Sequence, residues 1–327
     1  MSLPNVPTQQ TAISIVQSVL GKKVIDISRF PTGLDNYVYK VKLEDGKYIV
    51  VRLNNLGKEA QYKAAIYWYE QLKPTNVPMP NLLASNTVPE TIPYMILDYL
   101  PAKDLGDVYF ELSVDQKKQL AKHMACIHSS VATHLSIGSG YGFADSYQTE
   151  NLHSDWHSVL HAHLDRSRDW INEIGFVDPQ HVEIIRQRLP KYKAYFSKVK
   201  PIPFLHDTTT KNVLVDQGKI LGIVDVDSVC FGDSLFVPAL TKMALLSMDA
   251  PTDYIDFWLQ EINISKEQSE IVNLYTAMFC VNFMGEIGKA FNKDISEVSN
   301  TKKNLETKNK YEKILEIDNE EDFLIAL

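Results

Sequence analysis

Cysteine is scarce in this chain of 327 residues, which has three: Cys126, Cys230 and Cys280. They are odd in number, scattered and set among apolar residues. That excludes a disulfide framework and a cysteine metal motif, and it fits the reduced thiols of a cytoplasmic protein. Long apolar runs are missing too. No stretch approaches the roughly 20 residues that span a bilayer, and residues 1–7 lack the basic segment and apolar core of a secretory signal. No membrane partner is therefore expected. Positive charge is outnumbered, with 33 Lys and Arg against 41 Asp and Glu and a net charge of −8. General nucleic-acid binding is argued against on that ground. No repeat of solenoid period is visible.

The charge that is present is unevenly placed. Residues 1–101 carry about +2 and residues 102–327 about −10. A mildly basic first part suits nucleotide phosphates, and an acidic second part suits a cationic acceptor, although acidic surfaces more often serve solubility. The pattern of residues changes at the same place. Residues 8–20 put apolar side chains on one helical face before Gly21. Residues 24–29, 37–43 and 47–53 are rich in β-formers around an Asp45-Gly46 turn. A helix at 58–72 and an apolar strand at 93–100 follow. Beyond residue 101 the chain reads as mainly helical. Ser113 and Gln116 form a capping box for a helix to about His128. Residues 136–150 read as a loop, and helices are expected at 154–173, 180–199, 234–248, 252–261 and 265–291. The tail after Asn292 reads as an exposed helix or a partly ordered end. The layout is α+β: a β-rich lobe over 1–101, a hinge near 98–102, and a helical lobe over 102–327.

The most informative stretch is 204–233. Asp207 is followed five residues later by Asn212, and a hairpin turning at Asp216-Gln217-Gly218 leads to Asp225. Phosphoryl transfer needs such a set: one carboxylate to orient or deprotonate the attacking hydroxyl, and an amide oxygen with a second carboxylate to hold Mg²⁺ on the nucleotide phosphates. Asp207 is the candidate base, and Asn212 and Asp225 are the candidate metal ligands. Alone, an Asp before a threonine run would be a turn or cap residue; its spacing to Asn212 and Asp225 reverses that. Lys211 suits either the γ-phosphate or solvent. Asp227 would assist the metals or pair with a base, and Asp233, after Gly232, reads as a helix N-cap. His153, His157 and His161 recur every four residues, but no further ligand completes a zinc set, so a solvated helix face is the plainer reading.

At these residues the chain resembles the aminoglycoside phosphotransferase family, small-molecule kinases with a protein-kinase-like fold. The family pattern is His-Gly-Asp, four residues, Asn, a hairpin, Ile-Asp and Gly-Asp. Asp207, Asn212, Asp225, Gly232 and Asp233 follow it in order and spacing. The chain departs from it at Leu205-His206, where the His comes one place late, and at residues 208–211, Thr-Thr-Thr-Lys. The resemblance implies a bilobal fold, with a small antiparallel β N-lobe and a larger helical C-lobe, binding ATP or GTP with Mg²⁺ in the cleft. It places a phosphate-covering loop at 32–36, including Gly33 and Asn36, and a phosphate-gripping cation at Arg52. It also places backbone contacts to the base around Asp98, Tyr99 and Leu100. That cation needs a carboxylate from the next helix, for which Glu59 is the candidate and Glu70 the alternative. The implied activity is transfer of the γ-phosphate to a hydroxyl of a small molecule, either an aminoglycoside-like antibiotic or a metabolite. The competing reading is a non-catalytic nucleotide- or ligand-binding module with the same fold. The departures around His206 motivate it, and the retained Asp207, Asn212 and Asp225 argue against it. A protein kinase fits less well, because residues 226–250 carry no recognisable activation segment.

Overall fold

Local signals set most element boundaries in the computed structural model of the chain, which describes residues 6–30, 36–289 and 301–325. Helix α1 (Gln9–Leu20) starts where the Thr8 hydroxyl accepts the Thr11 N–H (3.2 Å) and ends at left-handed Gly21. Strands β1 (Val24–Arg29), β2 (Tyr37–Leu43) and β3 (Tyr48–Leu53) follow, then α2 (Glu59–Leu72), β4 (Leu82–Asn86) and β5 (Tyr94–Asp98). The five strands form one antiparallel sheet in the order β1-β2-β3-β5-β4.

Period-2 alternation divides this sheet into two faces. Tyr39, Val41, Ile49, Val51 and Ile96 pack on Ala12 and Val16 of α1. Met95 and Leu97 point the other way, into the core that α2 enters with Tyr62, Trp68, Tyr69 and Leu72. The register sets Arg52 opposite Val38 and Met95, and Val50 opposite Leu97. Arg52 therefore shares the face of Val50 and is turned toward the rest of the molecule.

The remaining chain is mainly helical: β6 (Lys103–Asp104), α3 (Leu105–Val108), α4 (Val114–His134), β7 (Gly142–Ala144), α5 (Trp156–Ile174), α6 (Gln180–Arg188), α7 (Lys193–Phe196), β8 (Ile202–Leu205), β9 (Val213–Asp216), β10 (Lys219–Ile223), β11 (Val229–Gly232), α8 (Phe236–Ser247), α9 (Asp253–Glu261), α10 (Lys266–Glu286) and α11 (Thr301–Ile325). Two small sheets, β10-β9-β6 and β7-β11-β8, carry the stretch 202–232. The capping box at Ser113 and Gln116 forms, and α4 runs six residues beyond the expected end. The helix expected over 180–199 is broken by a 3₁₀ turn, Leu189–Tyr192, at Pro190, which has no N–H for a continuing α-helix. The tail is a helix, α11, with Leu315 buried and Tyr311 and Ile314 packed on the main core. Contacts cross between the two parts: Trp68 donates its indole N–H to the Ala144 carbonyl (2.6 Å), and Ile223 N–H bonds Pro78 O (2.7 Å). Among the described residues no helix is long and apolar enough to cross a membrane.

Candidate active site

Strand β8 delivers the chain to a loop, residues 206–212, before β9 starts. Thr208, Thr209 and Thr210 are all buried in it. Thr208 Oγ1 lies 3.0 Å from His128 Nε2 on α4, and the Thr210 carbonyl accepts the Gly106 N–H of α3 (2.9 Å). Thr209 donates its hydroxyl to Asp207 Oδ1 (2.9 Å). Asn212 Nδ2 donates to the Asp207 carbonyl (3.0 Å), which leaves its side-chain oxygen as the available ligand. The threonine run is thus the brace of the loop, and Asp207 stands at its open side. Burial pushes the Asp207 carboxyl up, against the pull of the Thr209 and Asn212 hydrogen bonds and of Lys211.

The β9–β10 hairpin turns through Gln217 and Gly218, both at positive φ (48° and 77°), the geometry of a tight primed turn. It brings Val224 N–H back to the Asn212 carbonyl (2.9 Å). Asp225 then takes a left-handed conformation (φ 62°), which ends strand geometry and swings the chain toward β3. There Arg52, only 6% exposed, meets two carboxylates. Its Nη1 donates to Asp227 Oδ1 (2.5 Å), its Nη2 bonds Asp227 Oδ2, and Nη2 also lies 3.1 Å from Asp225 Oδ1. Burial opposes the charge on Arg52, but the two carboxylates more than offset it and raise its pKa. The Asp225 carboxyl is pushed up to about 7: burial is the main cause, Arg52 opposes it, and Asp227 and Asp207 add to it. Asp225 is accessible from the cleft mouth, yet protein encloses it on most sides, which is how it can be both open and poorly solvated.

A cleft of about 490 Å³ joins these pieces to the hinge. Val50 and Leu97 form apolar wall, while Arg52, Asp207, Asn212 and Asp225 lie along its lining. A second cavity, of about 680 Å³, shares His206, Asp207, Thr209 and Lys211 with the first. Asp207 therefore stands where two small-molecule-sized spaces meet.

A family profile of phosphotransferases matches residues 26–236, from β1 to the start of α8. The chain belongs to the phosphotransferase enzyme family. No significant match was found among curated proteins. Among solved structures, a thermostable mutant of the aminoglycoside phosphotransferase APH(4)-Ia superposes with a TM-score of 0.66 at 16% identity, over 93% of this chain and 98% of that one. The gentamicin complex of APH(2")-IIa gives 0.65 at 13% identity, over 93% and 96%. A putative fructosamine-3-kinase from Thermobifida fusca gives 0.60 at 13% identity, over 94% and 100%. The α+β kinase-like fold expected from the sequence is the one observed.

Placement of the expected site residues in this phosphotransferase differs from expectation mainly at Arg52. Glu59 does not hold it. Glu59 sits in the first turn of α2 and accepts the Gly57 N–H (3.2 Å), and the alternative, Glu70, is exposed and paired with Lys73 (2.6 Å). On α2, Tyr62 faces Arg52, its ring 5.5 Å from the guanidinium, while Gln61 lines the cleft and accepts from Asn54 (3.4 Å). Asp227, read as a metal assistant or the partner of a base, has the second role. Arg52 lies in the cleft, but its fork is committed to carboxylates. Asn36, with its amide oxygen turned to Arg52, accepts from Nη2 (2.6 Å) and Nε (3.1 Å) while its nitrogen donates to the Tyr62 hydroxyl. Gly33 lies outside the described residues. Asp98, Tyr99 and Leu100 line the cleft at the end of β5, with the Asp98 N–H and carboxylate engaged by Asn81.

Asp233 is buried and joins structure rather than chemistry. It accepts the Leu235 N–H ahead of α8 and the hydroxyls of Tyr195 and Tyr275 (2.9 Å each). His153 lies before α5, paired with Tyr141, while His157 and His161 meet each other through Nε2 (3.2 Å). Among the described residues no three His, Cys, Asp or Glu side chains are grouped to hold a metal ion. Sequence reading missed Asp104, which lines the cleft with its carboxyl pushed up to about 6 by burial and by Asp107. The second cavity has walls from α5, α8, α10 and α11; α5 and α10 lie in the helical stretches 102–200 and 250–290 where the sequence places an acceptor site, but its lining residues carry no local signature.

Proposed function

We propose that this phosphotransferase transfers the γ-phosphate of ATP, or of GTP, to a hydroxyl of a small molecule, with Mg²⁺ bound at Asn212 and Asp225. The observation that carries this reading is the position of Asp207 at the junction of the two cavities, within one loop of Asn212 and close enough to Asp225 for the two carboxylates to interact. The nucleotide would occupy the cleft under β2 and β3, with its base against Val50 and Leu97 and the backbone at Tyr99 and Leu100. The acceptor would occupy the second cavity. Asp207 would then take a hydrogen bond, and finally the proton, from the acceptor hydroxyl. A new O–P bond forms to the γ-phosphorus as the bond to the β-phosphate oxygen breaks, and the nucleoside diphosphate leaves.

Asn212 Oδ1 and the Asp225 carboxylate are hard oxygen donors of the kind Mg²⁺ takes. The carboxylates around Asp225 supply negative charge that a divalent cation relieves. When bound, the ion would neutralise charge on the β- and γ-phosphates. Arg52 is assigned to holding Asp225 and Asp227 in register, in place of the phosphate grip read from the sequence. Lys211, with no carboxylate among the described residues within ion-pair distance, remains suited to the γ-phosphate.

The test is a thermal-shift titration with ATP, GTP and Mg²⁺ followed by ADP or GDP release over an acceptor panel, on wild type, Asp207→Ala and Asp225→Ala. The expected result is Mg²⁺-dependent stabilisation that Asp225→Ala loses, and turnover that both variants lose while remaining folded. Full turnover in either variant would defeat the assignment, and nucleotide binding without turnover of any acceptor would favour a binding module.

A further inference from the structure

The second cavity holds an arginine with no carboxylate at ion-pair distance among the described residues; Glu286, on the same wall, acts on it only from further off. Arg166 projects from α5 into the cavity, and its Nη2 lies 3.0 Å from His163 Nδ1 and 3.3 Å from Asn282 Oδ1 on α10. Both partners are uncharged. Burial, with Arg166 beside it, holds the His163 imidazole well below its ordinary pKa, so its Nδ1 acts as a neutral acceptor. Asn282 in turn donates to Glu286 (2.9 Å), whose carboxyl burial pushes up against the pull of Asn282 and of the neighbouring cations. Burial also lowers the Arg166 pKa, and Glu286 only partly opposes it, yet a guanidinium stays charged at any physiological pH. Among the described residues no Asp or Glu forms an ion pair with Arg166. The other cation without a carboxylate partner there is Lys211, next to the loop of Asp207. Trp170, its ring 5.4 Å from the Arg166 guanidinium carbon, gives the cavity a flat apolar wall.

A solvent-accessible cation held in a fixed direction by neutral acceptors keeps its charge and its remaining N–H groups for a ligand. We propose that the acceptor carries an anionic group, a carboxylate or a phosphate, alongside the hydroxyl it presents to Asp207, and that Arg166 receives that group. This rests on the kinase reading above and narrows its substrate class. The acidic balance of residues 102–327 suits a cationic acceptor, but the cavity lining carries Arg166, Lys211, Lys289 and Lys303 against the carboxylates of Asp207 and Glu286, and at short range the local charges decide. The cavity volume fits one sugar-acid- or sugar-phosphate-sized molecule.

The experiment is calorimetric titration of the full chain, loaded with ADP and Mg²⁺, with four probes: gluconate for a carboxylate, glucose 6-phosphate for a phosphate, glucose for a neutral polyol and kanamycin for a cationic acceptor. Wild type, Arg166→Gln and Arg166→Lys are compared, with ADP affinity as the check on folding. The expected result is that one or both anionic probes bind more tightly than glucose and kanamycin. Arg166→Gln should weaken that binding by at least about tenfold, Arg166→Lys by less, and neither should change ADP affinity. Which anionic probe binds separates carboxylate from phosphate. Tighter binding of glucose or kanamycin, binding by neither anion, or anion binding unchanged in Arg166→Gln overturns the proposal. Failure of wild type to bind ADP would instead strike the kinase reading.

Discussion

Three threonines in succession after a candidate catalytic Asp look like a surface turn in the sequence, yet their side chains point inward. Thr208 contacts His128 on α4, and this ring is the most testable consequence of the packing. Burial holds the His128 pKa down to about 4. A histidine depressed in the folded state is neutral in both states above about pH 6.5, so it costs nothing there. As pH falls through that value the unfolded chain takes up a proton that the folded chain refuses, and stability is lost down to the folded pKa. The full effect is on the order of 3 kcal/mol. Asp225 and Asp104, with carboxyls raised to about 7 and about 6, act with the opposite sign over the same window. The quantity to read is therefore a difference. Between pH 6.5 and 4.5, denaturant midpoints of His128→Gln should fall less steeply than those of wild type. Parallel curves would mean that His128 titrates normally.

At the scale of elements, the short strand β11 shows what a single glycine permits. Gly232 ends it at φ 152°, and a Cβ there would lie 2.2 Å from the Trp156 ring, itself fixed by the hydrogen bond from its indole N–H to Tyr275. Both the backbone region and the contact exclude a side chain. Gly232→Ala should destabilise the fold by about 3 kcal/mol or more, read as a lowered denaturant midpoint. An effect near zero would show that the β11–α5 contact yields. The same element explains the limits of sequence reading. Boundaries signalled by their own residues were legible: Gly21 on α1, Ser113 and Gln116 on α4, and Gln217-Gly218 between β9 and β10. Strands β6, β7 and β11, two to four residues long, exist only through pairing with distant segments, so no local pattern announces them. In the candidate site, the order Asp207, Asn212, Asp225 was readable because one loop and one hairpin carry it. The partner of Arg52 was not, because it depends on how β3 meets the left-handed turn at Asp225.

At the scale of the whole molecule, the two cavities are built from different parts of the chain. The first cleft, assigned above to the nucleotide, lies between the five-stranded sheet and the 206–228 segment. The second cavity draws part of its wall from α11, through Thr307 and Tyr311. That helix is tied down by Lys310, which bonds Asp249 (2.6 Å) and the Ser247 carbonyl (2.8 Å), and by the buried Leu315. Removing residues 301–327 should therefore separate the two functions. Nucleotide affinity should stay close to wild type, because among the described residues none of α11 lines the first cleft. The acceptor KM should rise by about tenfold or more as one wall opens to solvent, and kcat should fall less. Some loss of stability is expected from exposing the apolar surface that α11 covers, of the order of 2–5 kcal/mol for a lost buried leucine and its neighbours. Calorimetry with ADP alongside acceptor kinetics reads both effects on one preparation. An unchanged acceptor KM would place the acceptor elsewhere. A parallel loss of ADP affinity would mean that α11 supports the whole helical part rather than one cavity.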